Sequence, residues 1–96
     1  MIRHIVFFTA KHKQDKQTIY DGLSLLLDIP DCLHLEIGVN ERDDPISELS
    51  PDFIVYGEFE SNDQLAAYKR HPIYLRSIEI VRPLRDKRIA ADFDSA

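Results

Sequence analysis

Four side chains in this sequence are the first candidates for proton-transfer chemistry. Tyr68, His71 and Tyr74 crowd around Pro72 in the stretch AAYKRHPIYLRS, and His4 lies near the start, in MIRHIVFF. Acid–base catalysis needs a titratable group within hydrogen-bond reach of the moving proton, with a pKa near the working pH. Histidine meets the second condition by default, and tyrosine meets it only where its surroundings lower its pKa. His4, Tyr68 and His71 are therefore the candidate catalytic residues. Each also has a structural reading. His71 precedes a proline at a helix end, where an imidazole can bond the last free carbonyls and interact favourably with the helix dipole. His4, if buried, must find a polar partner, and Tyr68 or the backbone could supply it.

Other chemistries find less support. His34 and Glu36 share one strand face and could grip a cation, but no third ligand is in register, and catalytic zinc usually takes three protein ligands. No metal site is assigned. Three isolated glycines make no phosphate-cradling loop, and no nucleophile elbow is present, so no cofactor is assigned. Cys32 is the only cysteine, which excludes an internal disulfide, and it reads as a small packing residue. Asp43 and Asp44, before Pro45, read as turn chemistry.

The elements that must position these residues follow from periodicity. Ile2 to Thr9 alternates as a strand, with Ile2, His4, Val6 and Phe8 on one face and Arg3, Ile5, Phe7 and Thr9 on the other. Gln14 to Ile29 predicts a helix carrying Ile19, Leu23, Leu26 and Leu27 on its apolar side, stopped by Pro30. Gly22 costs about 1 kcal/mol there against alanine, which points to close packing beneath the helix. Cys32 to Asn40 alternates strictly, with Leu33, Leu35, Ile37 and Val39 on one side, and ERDDPISELSP reads as a long loop. DFIVYGEFE gives a third strand that is apolar on both faces. Ser61 and Gln64 form a capping box that starts a helix over Asn62 to about Arg70, burying Leu65 and Tyr68. Pro72 ends that helix and suits the first position of the next, which carries Tyr74, Leu75, Ile78 and Val81. Lys87 to Phe93 is the last strand.

This order predicts a single α+β domain over residues 1–96, a ferredoxin-like split βαβ unit with a four-stranded antiparallel sheet and helices on one face. A chain of 96 residues buries only roughly 60–65% of the surface its unfolded form exposes. Because strands one and three are apolar on both faces, the sheet face without helices is expected to pack on a second copy, making a homodimer.

Composition limits the partners. Hydrophobic residues are 44% and charged residues 30%, and no apolar run approaches a membrane span. A net charge of −5 argues against nucleic acid, and the clusters KHKQDK and RPLRDKR, interrupted by acids, read as solvated faces. MIRHIVFF lacks the apolar length and cleavage site of a secretory signal, so a cytoplasmic protein is expected.

MIRHIVFF, EFES, AYKRHP and ADFD, in this order, together resemble the stress-responsive A/B barrel (Dabb) family across essentially the whole chain. The resemblance implies a dimeric α+β barrel. The family includes proteins with no known reaction and polyketide cyclases, so membership alone names no activity. The cyclase-type members use a pocket histidine and tyrosine. His4 matches their first-strand histidine and Tyr68 their pocket tyrosine, while Tyr74 replaces the histidine two residues after the proline and Phe53 replaces a third-strand histidine.

The expected site is a pocket between sheet and helices, lined by His4, Val6, Phe8, Phe53, Val55, Tyr68, Tyr74 and Ile78, that binds a small hydrophobic or aromatic molecule. The alternatives are a cofactor-free cyclase-like lyase or isomerase using His4 or Tyr68, and a structural or stress-related assembly module. An open cavity of a few hundred Å3 favours the first two. A pocket filled by its own side chains favours the third.

Overall fold

The computed structural model describes residues 1–96. Its strands are β1 (Ile2–Ala10), β2 (His34–Val39), β3 (Phe53–Phe59) and β4 (Arg85–Asp94), and its helices α1 (Lys16–Ser24), α2 (Asn62–Arg70) and α3 (Pro72–Val81). The sheet order is β2-β3-β1-β4 with every neighbouring pair antiparallel. This is the ferredoxin-like arrangement, with the two strands that are apolar on both faces in the centre.

Alternation on β1 divides the sheet. Ile2, His4, Val6 and Phe8 are buried beneath the helices, and Phe53, Val55 and Phe59 of β3 join them. The opposite, open face presents Phe7, Ile89 and Phe93, each exposed, with Ile5 and Ile54 half-buried among them. At one end of the open face Arg3 and Tyr56 converge on Glu58. The Arg3–Glu58 ion pair is 3.0 Å long, and the Tyr56 hydroxyl donates to the same carboxylate at 2.6 Å.

The expected helix over Gln14 to Ile29 forms in three pieces: a 3₁₀ turn at Lys13–Asp15, α1, and a second 3₁₀ turn at Leu25–Asp28. The tightening has a consequence for packing. A 3₁₀ turn repeats every three residues, so after Ile19 and Leu23 the buried positions become Leu26 and Ile29. Leu27, expected on the apolar side, is rotated outward and exposed. At Gly22, α1 approaches α3 so closely that a Cβ would lie 2.9 Å from methyls of both Ile80 and Val81. The Ser77 hydroxyl also donates to the Gly22 carbonyl at 2.8 Å. On α3, Ser77 is buried and Leu75 is exposed, the reverse of what hydropathy alone predicts.

Strand β2 is shorter than its alternation predicts. Leu33, just before it, and Val39, at its end, lie on the helix side but stay exposed. Strand β4 starts at Arg85, two residues before the expected Lys87, because an irregularity between Phe8 and Ala10 on β1 lets Ala10 pair with Arg85.

Candidate functional site

The corner between α2 and α3 is built from backbone rules. Ser61 Oγ accepts from Gln64 N at 3.2 Å, the cap the sequence predicts, while Gln64 Oε1 reaches one residue beyond the cap and accepts from Glu60 N at 2.6 Å. Pro72 opens α3. His71 sits between them, but its side chain does not serve the end of α2. Its Nδ1 accepts from Ile73 N at 3.1 Å and caps the start of α3, while its backbone N–H donates to the Tyr68 carbonyl. An imidazole nitrogen that accepts is unprotonated at that atom, so the capping bond is made by the neutral ring. His71 does not line the cavity described below.

His4 is 1% exposed and lies in a row across the sheet, where its register partners are Gly57 on β3 and Asp92 on β4. Gly57 leaves this row without bulk. A Cβ there would stand 2.7 Å from the Phe59 ring and 2.9 Å from Leu35. The imidazole packs edge-on against Phe59 and Tyr68, with ring centroids 6.2 and 6.3 Å away. Its polar partner is Asp92, whose carboxylate hydrogen-bonds Nδ1. Tyr68, expected to be that partner, instead contributes a ring face. A carboxylate accepts, so Nδ1 donates and Nε2 keeps the free lone pair. Burial pushes the His4 pKa below its ordinary value, Asp92 opposes this by hydrogen bond and charge, and Lys69 and Arg88 add to the lowering. The ring is therefore neutral at pH 7 and oriented by a carboxylate, the form a general base requires.

Tyr68 is 1% exposed, with its ring 5.0 Å from Phe59 and 5.2 Å from Tyr74. Burial, then Tyr74 and Cys32, push its phenol well above the usual tyrosine range, and Arg88 offsets little of this. At any physiological pH this hydroxyl can donate a hydrogen bond and cannot act as a base.

These two residues open onto one cavity. Val6, Phe8 and Val55 form its floor, and Tyr74 and Ile78 its wall on α3. Phe53 is elsewhere. It packs by Tyr20 and borders a shallow depression with Lys16 and Val39. The cavity encloses about 30 Å3, room for about one or two waters. A larger hollow of about 190 Å3 lies on the open face between Phe7, Leu49 and Ile89.

Three features of the site were missed in the sequence. Asp92 belongs to ADFD, but nothing local shows that β4 pairs with β1 in the register that sets it opposite His4. Arg85 and Arg88, read as part of a solvated cluster, line the cavity. Ser77 lines it too, hidden among apolar neighbours on α3. The alternation of β4 was the available signal, since it sets Arg88, Ala90 and Asp92 on one face.

His34 and Glu36 lie on the open face and bond each other at 2.9 Å. No group of three potential metal-binding side chains converges anywhere in the chain. No helix is long and apolar enough to cross a membrane.

Fold and site thus define a ferredoxin-like α+β domain whose helix-covered face encloses a cavity tipped by a histidine–aspartate pair. The chain belongs to the stress responsive A/B barrel domain family, whose model matches residues 2–95. Among solved structures, it is similar to a dimeric ferredoxin-like protein of unknown function from Thermobifida fusca, with 26% identity, 96% of this chain and 88% of that one covered, and a TM-score of 0.77. A Dabb family protein from Mesorhizobium loti is 24% identical over 99% and 96% of the two chains, with a TM-score of 0.80. An antibiotic biosynthesis monooxygenase shares the fold at 14% identity over 100% and 99% of the chains, with a TM-score of 0.81. No curated protein matches the sequence.

Proposed function

We propose that this chain is a homodimeric A/B barrel protein that binds a small hydrophobic or aromatic molecule in the cavity between sheet and helices. The observation that carries the reading is the convergence of the His4–Asp92 pair and the Tyr68 ring on one apolar cavity. Such a site holds a ligand by its apolar body and addresses one polar end. His4 Nε2 can accept a proton there, and Tyr68 can donate a hydrogen bond to an oxygen of the ligand. If the ligand carries an acidic C–H beside a carbonyl, the same two groups would abstract the proton and stabilise the enolate, the chemistry of a cofactor-free lyase or isomerase.

The homodimer rests on the apolar open face and on the dimeric state of the Thermobifida fusca relative. The second copy would cover Phe7, Ile89 and Phe93.

The small cavity volume favours a second reading, an assembly module whose helix-covered face serves stability alone. The two readings differ in whether the cavity opens. Native mass spectrometry with small aromatic compounds decides between them. Binding predicts one compound per protomer of a dimer, and loss of that mass in Ile78→Trp, which fills the cavity. Equal uptake by wild type and the filled variant, or none by either, would leave the assembly module.

A further inference from the structure

Arg85 and Arg88 both line the cavity, and no carboxylate lines it with them. Neither arginine takes part in any of the chain's ion pairs. Asp92, the nearest acid on the same strand face, is engaged by His4. A chain of net charge −5 therefore gathers two uncompensated guanidinium groups at one cavity. This gathering is costly in itself. Arg85 is partly desolvated and feels the like charges of Arg88 and Arg82, which together lower its pKa. The fold brings the pair together through a local irregularity. Regular alternation from Arg88 would turn Arg85 to the open face, and the register shift between Phe8 and Ala10 of β1 returns it to the helix side. On the helix-side face of β4, Arg88, Ala90 and Asp92 are all exposed, so this edge of the sheet is left open and Arg88 stands at the entrance.

We propose that Arg85 and Arg88 form an anion subsite at the cavity mouth, which takes the carboxylate of a small hydrophobic acid whose apolar body enters between Val6, Phe8 and Ile78. The inference rests on the cavity being a ligand site and adds the charge of the ligand. A planar carboxylate matches the fork of a guanidinium, and a partly desolvated arginine gains more from it than an exposed one. The arrangement also fixes the direction of entry. With its carboxylate on β4 the ligand points inward, and its far end meets His4 and Tyr68.

Isothermal titration with matched pairs tests this: benzoate against benzamide, and octanoate against octanamide, with acetate as the control for charge alone. The carboxylates are expected to bind about tenfold or more tightly than their amides, the difference that one charge-assisted pair supplies. Arg88→Gln and Arg85→Gln, both near the surface of β4, should each narrow the ratio of carboxylate to amide affinity towards one. Acetate should bind far more weakly than either acid. Acids and amides that bind equally, with no effect of the glutamine variants, would overturn the anion subsite and leave the cavity as a neutral ligand site. Acetate binding as well as octanoate would show an adventitious surface ion and also overturn it. If no member of the panel binds at millimolar concentration, the anion subsite and the ligand cavity fall together.

Discussion

His4 and Asp92, 88 residues apart in the chain, face each other as register partners across β1 and β4, and the carboxylate fixes which imidazole nitrogen is free. The pairing converts a buried histidine from a liability into an oriented, neutral base.

The burial of His4 sets a pH dependence of stability. Burial lowers the folded-state pKa of His4 below its unfolded value of about 6.5. Between the two values the unfolded chain binds more protons than the folded one, so stability is complete above about pH 6.5 and falls as pH drops below it. Urea unfolding at pH 7.5 and pH 5 should show this loss, and His4→Gln should show less of it. An equal loss in both proteins would place the acid sensitivity elsewhere.

Asp92 raises the His4 pKa against the lowering by burial. Asp92→Asn should therefore move the His4 titration, followed by the NMR signals of its ring, to still lower pH. A shift upward, or none, would contradict the pairing.

Tyr68→Phe removes only a hydroxyl from a ring held by Phe59 and Tyr74. Secondary structure by circular dichroism should be unchanged. Affinity for an oxygen-bearing ligand should fall about tenfold, the value of one hydrogen bond to a buried polar group. Unaltered affinity would remove the hydroxyl from the site.

The α1–α3 contact, which also backs the cavity through Ser77 and Val81, offers a test of packing. Gly22→Ala would gain about 1 kcal/mol of helix propensity, but its methyl would press on Ile80 and Val81, whose branched side chains have no slack. A net destabilisation of about 1–3 kcal/mol is expected, the usual cost of overpacking. Stabilisation in thermal unfolding would show that α1 can lift from α3.

The open face should be closed by a second copy. Ile89→Lys places a charge among Phe7, Phe93 and their copies, and sedimentation should show a dimer for wild type and a monomer for the variant. A monomeric wild type would sink the dimer.

Local rules made much of the fold legible. Pro72 marked the α2–α3 corner, Ser61 the start of α2, and Gly22 the close approach beneath α1. Other features were set at longer range. Leu27 turned outward because the helix tightened after Ser24, a change that hydropathy does not encode. His71 capped the helix after it instead of the one before it, since its φ and ψ are extended and its ring reaches Ile73. The site was half visible. His4 and Tyr68 stood out by residue type, whereas Asp92 and Arg85 depended on the pairing of β4, which joins the two ends of the chain. That register, with its shift at Ala10, has no local signature.

The central claim, that the space between His4, Tyr68 and Tyr74 receives a small molecule, is tested most directly by a crystal structure of the protein soaked with small aromatic and aliphatic fragments. The account predicts fragment density within hydrogen-bond reach of His4 Nε2 or the Tyr68 hydroxyl, with Tyr74 and Arg88 displaced outward to widen the mouth. Fragments bound only elsewhere, over a cavity still closed to about 30 Å3, would contradict it.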